Sequence, residues 1–272
     1  MGESCIPWNP QRVIGIGGAG VFALDLGVEP VGIEHSELDE ILNMEQQVQS
    51  IENIGDPPNL EKLVALKPDL IFGWGGRDSY SQLSQIAPTV LKNWNHIGQW
   101  KEMLMDYADL LNKTEIAQQL IADYNQRVLD FQKHMGERLS KIEVSVMRVR
   151  PEVFDLELKQ SFSGTILEDT GLSRPPAQRQ EVFGLFNLSK EQITDADGDV
   201  IFVWTYGHKT HVAQEAQSAL EKIKADPLWL QLNAVQQNKV YEVPGYWIGS
   251  NIKAANLILD DLFKYFLDQP SS

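Results

Sequence analysis

Between Ile97 and Leu139 the chain contains no proline and only two glycines, Gly98 and Gly136. This stretch constrains the fold most, because it lacks the residues that end helices. Within it Ile116, Leu120, Tyr124, Val128, Phe131 and Met135 recur at intervals of four, four, four, three and four, which places them on one helical face. Asn112-Lys-Thr-Glu115 reads as a capping box, with Asn112 as N-cap and Glu115 three positions on. The pattern predicts one helix to about Arg138, about 39 Å long at ~1.5 Å per residue.

On both sides of this helix the texture is different. Before it, Arg12–Ile16, Pro30–Ile33, Asp69–Trp74 and Thr89–Leu91 read as short strands separated by short helices near Val21–Leu26, Leu60–Leu66 and Gln82–Ile86. After it, strands at Ile142–Val149, Asp199–Trp204 and Lys239–Val243 alternate with helices at Phe162–Thr170, Glu191–Asp195, Ala213–Ala225 and Ile252–Phe266. Such alternation implies mainly parallel sheets covered by helices. The fold class expected is therefore α/β, with two Rossmann-like α/β lobes joined by a single long α-helix and a ligand cleft between the lobes. The expected boundaries are 1–96 for the first lobe, 97–139 for the connecting helical segment and 140–272 for the second lobe.

The two lobes echo each other. Glu61, Asp69 and Trp74 are spaced by eight and five residues, and so are Glu191, Asp199 and Trp204, with an apolar-Ile-Phe run after each aspartate. The register predicts an exposed glutamate on a short helix in each lobe and a tryptophan at the carboxyl end of the next strand. Ligands of open α/β sheets lie beyond those strand ends.

Charge excludes more than it proves. With 23 basic and 38 acidic residues the net charge is −15, which repels phosphate backbones and anionic lipid and disfavours nucleic-acid partners. Against that background a few cations stand out. Arg77 follows Trp74-Gly-Gly, and Arg148 and Arg150 alternate on one strand so that both point to the same face. Buried guanidinium groups need anionic partners, either ligand oxygens or Glu152 and Asp155. Trp204-Thr-Tyr206-Gly-His208 and Pro244-Gly-Tyr246-Trp247 add aromatic walls, and Tyr206, His208 and Tyr246 are candidate direct contacts to ferric iron. Gly15-Ile-Gly17-Gly-Ala-Gly20 matches the dinucleotide pattern, with Glu34 after it, and keeps an NAD-dependent oxidoreductase as the alternative from another class. Its short helix and the fourteen residues from Gly20 to Glu34 count against that reading.

Asn9-Pro-Gln-Arg-Val13, Leu26-Gly-Val-Glu-Pro-Val-Gly32, Asn59–Leu70, Asp226-Pro-Leu-Trp229, Lys239-Val-Tyr241 and Ala254-Ala-Asn-Leu-Ile-Leu259 together resemble the siderophore-, haem- and cobalamin-binding proteins of ABC importers, over about Ile6 to Leu267. The resemblance implies a periplasmic solute-binding protein, without catalysis or a cofactor of its own, that carries iron(III) as a chelate. It implies capture of a ferric siderophore through Arg77, Arg148 and Arg150, and the residues read above, Trp74, Trp204, Tyr206, His208, Tyr246 and Trp247, complete the expected site. Haem, cobalamin and ferric citrate are the alternative ligands within the class. It further implies delivery to a transmembrane permease that pairs with Glu61 and Glu191, and a monomeric state. Gly2-Glu-Ser-Cys5-Ile-Pro7 is similar to the mature start of such proteins, which implies an upstream segment with a second cysteine and a possible lipid anchor.

Overall fold

The structure is a computed structural model, which describes residues 5–35, 45–75, 79–205 and 210–267. It has two compact units. Met1–Asn95, Gln99–Asp123 and Asn251–Lys253 form one; His96–Gly98, Tyr124–Ser250 and Ala254–Ser272 form the other. The boundary thus falls inside the long helix, at Asp123 and Tyr124, so the segment 97–139 is shared between the units.

The first unit holds a five-stranded sheet in the order β3-β2-β1-β4-β5, from β1 (Val13–Ile16), β2 (Gly32–Ile33), β3 (Glu52–Asn53), β4 (Leu70–Trp74) and β5 (Thr89–Lys92). Every pairing is parallel. A parallel sheet is buried on both faces, which explains why Val13, Ile14, Leu70, Ile71 and Phe72 are all fully buried in continuous apolar runs. On one face Ile14, Ile16 and Ile71 pack with Leu63 and Leu83. Elsewhere in this unit Tyr107, from the Trp100–Leu110 helix, meets Phe22 and Phe72 with ring centroids 5.2 Å apart in each pair.

The second unit has the order β10-β9-β6-β7-β8, from β6 (Val144–Arg150), β7 (Val153–Glu157), β8 (Gly184–Leu188), β9 (Val200–Thr205) and β10 (Val240–Glu242). Here β10, β9 and β6 are parallel, whereas β6-β7-β8 is an antiparallel meander that strand reading of the sequence overlooked. In Val153-Phe-Asp-Leu-Glu157 the aspartate and glutamate resemble a solvent face, yet both are buried. Their partners, not their polarity, decide the placement.

The aspartates of the internal echo explain its conservation of spacing within the chain. Asp69 accepts the backbone N–H groups of Gln11 (2.8 Å) and Arg12 (3.0 Å), and its own N–H donates to the Arg12 carbonyl. Asp199 accepts the N–H of Glu143 at 2.9 Å and donates to the Glu143 carbonyl. Each carboxylate therefore ties the entry of one central strand to the start of its parallel neighbour, β1 to β4 and β6 to β9.

The long helix runs from Thr114 to Met135, 22 residues, and a 3-10 turn covers Gly136–Lys141. At ~1.5 Å per residue it is about 33 Å long, shorter than the sequence pattern predicted. The expected start also differs. Asn112 is not an N-cap: its φ is +54°, and it ends the preceding helix. Lys113 N–H reaches Ala108 O (2.7 Å) and Asn112 N–H reaches Asp109 O (3.3 Å), the paired bonds of a Schellman motif. An asparagine tolerates the left-handed conformation, so the same residue type suits either helix end. In the second unit the helical stripe buries Tyr124, Val128, Phe131 and Met135, whereas Ile116 is 41% exposed and Ala117 is buried in its place. Phe131 meets Phe263 and Phe266, and Arg127 donates to Asn256 Oδ1 (2.6 Å) and pairs with Asp260.

Candidate functional site

In the first unit the glycine-rich turn is a packing device. Gly17 has φ +60°, and a Cβ there would stand 2.4 Å from the Trp74 carbonyl oxygen; a Cβ on Gly15 would stand 2.5 Å from the Gly20 nitrogen. The turn lets β1 pass directly against the end of β4. Gly18 N–H donates to Glu34 Oε2 at 3.2 Å, so a carboxylate of the chain itself takes a donor that a dinucleotide phosphate would need. Burial pushes the Glu34 carboxyl above its usual range, opposed by the Gly18 bond. The oxidoreductase alternative therefore loses its motif. Trp74, at the end of β4, is half-buried and meets Trp94 edge-on at 6.3 Å, and Trp94 in turn meets Tyr107 at 5.2 Å. Arg77 lies outside the described residues.

In the second unit Trp204, near the end of β9, is 2% exposed, and the Arg148 guanidinium sits 5.1 Å from its ring. Such a cation over an indole face is held by the ring quadrupole. Arg148 is half-buried and directly opposite Asp155 in the β6-β7 register. Arg150 shares that face, and its Nη2 donates to Asp155 Oδ1 (2.7 Å) and to Asn187 Oδ1 (2.8 Å). The two arginines therefore differ, one against an aromatic wall and the other in an ion pair with a buried carboxylate. Sequence reasoning named Asp155, with Glu152, as the alternative to ligand oxygens for these arginines. It missed Glu157, Arg174 and Gln178 entirely, which pack on the same sheet. The readable signal was the alternation of acids in Val153–Glu157 immediately after the alternation of arginines in Arg148–Arg150, since charges at matching period can pair across a hairpin.

Tyr246 and Trp247 are placed differently from expectation. Trp247 is fully buried, stacked on Phe202 with centroids 4.5 Å apart. Its Nε1 donates to Asp261 Oδ2 at 2.8 Å, and the Tyr246 hydroxyl donates to the same oxygen at 2.7 Å. Burial and that carboxylate hold the Tyr246 phenol well above its usual pKa, so its phenolate is disfavoured. Trp247 is thus a core residue rather than a pocket wall. Tyr206 and His208 lie outside the described residues. Among the described residues no cluster of three or more His, Cys, Asp or Glu forms a metal site.

Glu61 and Glu191 are both exposed, each in the first turn of a short helix. Asn59 caps the first by accepting Lys62 N–H at 3.1 Å, and a Ser189–Gln192 capping box starts the second. A hydrogen bond from Ser189 lowers the Glu191 pKa, keeping it ionised at neutral pH. Beside it, a 420 Å³ groove is lined by Arg150, Lys190, Ile193, Lys222, Asp226 and Trp229, among others.

Comparison with known proteins agrees with this architecture. Residues 21–246 match the family model described as periplasmic binding protein. The chain is 35% identical over 277 residues to YfiY, a probable siderophore-binding lipoprotein of Bacillus subtilis, covering 96% of this chain and 84% of that protein. It is 30% identical over 266 residues to the achromobactin-binding periplasmic protein of Dickeya dadantii, covering 93% of this chain and 85% of that protein. Among solved structures, Staphylococcus aureus SirA complexed with staphyloferrin B superposes with a TM-score of 0.86 at 27% identity, over 97% of this chain and 96% of that one. With a family match across most of its length and two relatives aligned nearly end to end, this chain belongs to the periplasmic binding protein family.

Proposed function

We propose that the chain is the solute-binding component of an iron(III)-siderophore ABC importer, working outside the cytoplasmic membrane. The observation that carries the reading is the Arg148 guanidinium held over Trp204, at the carboxyl ends of β6 and β9, the position where open α/β sheets bind ligands. A fixed cation against a flat apolar wall suits an anionic chelate with an organic backbone better than cobalamin. The relatives support it, since YfiY and the Dickeya protein are named for siderophores and a third, YfmC of Bacillus subtilis, is named as Fe(3+)-citrate-binding. In this reading Arg148 attracts the ligand oxygens against Trp204, and Trp74, Arg77, Tyr206, His208 and Tyr246 are further candidate contacts. Arg150 supports the site through Asp155. Glu61 and Glu191 present the fixed negative charges that meet a permease.

Titration of intrinsic tryptophan fluorescence with ferric staphyloferrin B, ferric citrate, haem, cobalamin and NAD tests the ligand class. Sub-micromolar quenching by a ferric chelate is expected, weakened at least ten-fold by Arg148→Ala, which corresponds to about 1.4 kcal/mol of lost interaction. Saturable quenching by cobalamin or NAD alone would overturn the reading.

A further inference from the structure

Behind Arg148 the second unit buries a group of charges that binding of a ligand at the sheet ends does not by itself explain. Glu157 is 2% exposed and Arg174 5% exposed. Glu157 Oε1 has no hydrogen-bond partner, and neither do Arg174 Nε and Nη1. Arg174 Nη2 donates instead to the Glu157 backbone carbonyl and to Gln178 Oε1. Gln178, fully buried, donates to Ser145 Oγ at 2.7 Å. Since Arg148 lies opposite Asp155, and strand residues two apart share a face, Arg148, Arg150, Asp155 and Glu157 are on one face of the sheet.

The charges do not balance by ordinary pairing. Asp155 is taken by Arg150 through the 2.7 Å bridge. Glu157 feels the attraction of two cations, Arg148 on β6 and Arg174 on the segment after the Phe162–Thr170 helix, with Asp155 as the neighbouring anion; Gln178 and Ser145 beside them are neutral, and further charges around Arg174 are Arg179, whose Nε donates to the Arg174 carbonyl, and Lys159 and Glu168, which pair with each other. A carboxyl so deeply buried without a bond to one oxygen loses hydration that only Arg148 and Arg174 replace. Arg148 is also the cation that the proposed ligand would engage. Anything anionic that occupies Arg148 withdraws part of the field that keeps Glu157 ionised.

We infer that Glu157 is the positioning counter-ion of Arg148 and takes up a proton when an anionic chelate binds there. This rests on the ligand reading above and deepens it. Burial raises the Glu157 carboxyl to about 7, against the attraction of Arg148, so the exchange falls where small changes of field alter its charge. The direction follows from linkage: a complex that holds the proton more tightly binds its ligand more tightly at low pH. If binding raises the Glu157 pKa by about one unit, affinity falls about five-fold between pH 6 and pH 8. A glutamate serving only to fill the core would give no such coupling.

Two measurements on the whole chain test this, and the first needs no ligand. Infrared difference spectra between pH 5.5 and 8.5 are expected to show a protonated carboxyl band in the wild type that titrates near neutrality and is missing from Glu157→Gln. Asp25, another carboxyl raised to about 7, stays in both proteins and cancels. Identical spectra would overturn the inference. Arg148→Gln removes the favourable cation without touching the carboxyl and should move the Glu157 midpoint upward by half a unit or more; an unmoved midpoint also overturns it. Second, calorimetry with ferric staphyloferrin B and ferric citrate, in buffers of different ionisation heat, counts protons taken up per ligand. The wild type should take up more than Glu157→Gln, and protons belonging to the chelate appear equally in both. Equal uptake defeats the inference. Failure of the wild type to bind either chelate would instead defeat the ligand reading, and the infrared titration alone would then decide whether Glu157 exchanges its proton under the control of Arg148.

Discussion

At the residue scale, each polar group the fold buries has a distinct task. Asp261 ends two donors at once, the Tyr246 hydroxyl and the Trp247 indole. Gly17 exists because the Trp74 carbonyl would meet any Cβ at 2.4 Å. Asp25 gives the clearest pH signature. Burial raises its carboxyl from 3.8 to about 7, with Asn251 and Lys253 acting in the opposite direction. The folded chain therefore holds a proton that the unfolded chain has already released. Its contribution is intact below about pH 4 and is lost as pH rises toward 7. Asp25→Asn, neutral at every pH, should gain stability relative to wild type by a few kcal/mol between pH 4 and pH 8, measured by urea unfolding at each pH. A difference that stays flat with pH would mean that the carboxyl is hydrated in the folded protein.

At the element scale, the repeated aspartate is the most transferable feature. Asp69 and Asp199 each bond to the entry of the neighbouring parallel strand, and each follows a short helix that starts with an exposed glutamate. Removing either carboxylate leaves backbone donors without their charged acceptor. Asp69→Ala and Asp199→Ala should each cost about 1.5–3 kcal/mol of unfolding free energy. Similar losses in both units are expected, and a neutral result for either would show that water replaces the carboxylate. Several elements were legible at this scale. The Leu60–Leu66, Phe162–Thr170 and Ile252–Phe266 helices begin and end where the periodicity, the following Lys-Pro and the left-handed Gly171 place them. The β6-β7-β8 meander was not, because buried Asp155 and Glu157 carry the pattern of a wet strand. Asn112 misled for a related reason, since N-cap and left-handed C-terminal positions accept the same side chain.

At the scale of the whole molecule, the separation of binding from docking is the property to test. Glu61 and Glu191 belong to different compact units, each exposed in the first turn of a short helix. The double variant Glu61→Ala/Glu191→Ala should keep the wild-type affinity for a ferric chelate within about two-fold and lose most iron uptake in cells carrying the importer, with each single variant in between. Normal uptake by the double variant would remove the docking role. The acidity of the chain, −15 overall, fits this division. Within this acidic chain Arg148 and Arg150 share one sheet face, where each has a specific neighbour, Trp204 for Arg148 and Asp155 for Arg150.

The amino-acid sequence alone determined the α/β alternation, the long proline-free helix, the echo of Glu-Asp-Trp in the two units and the arginines worth watching. These are local or periodic properties, set by chain sterics and by which face each side chain must present. Only the tertiary structure decided that Arg150 is consumed by Asp155, that Trp247 belongs to the core, that the glycine turn is closed by Glu34, and that Glu157 is buried on the face it shares with Arg148, with Arg174 on its backbone carbonyl. Those outcomes depend on which charges meet at close range in a medium that water has left. Spacing along the chain can suggest such a pair, as the alternating arginines and acids of β6 and β7 do, but it cannot choose among partners that strands and loops bring together only by folding.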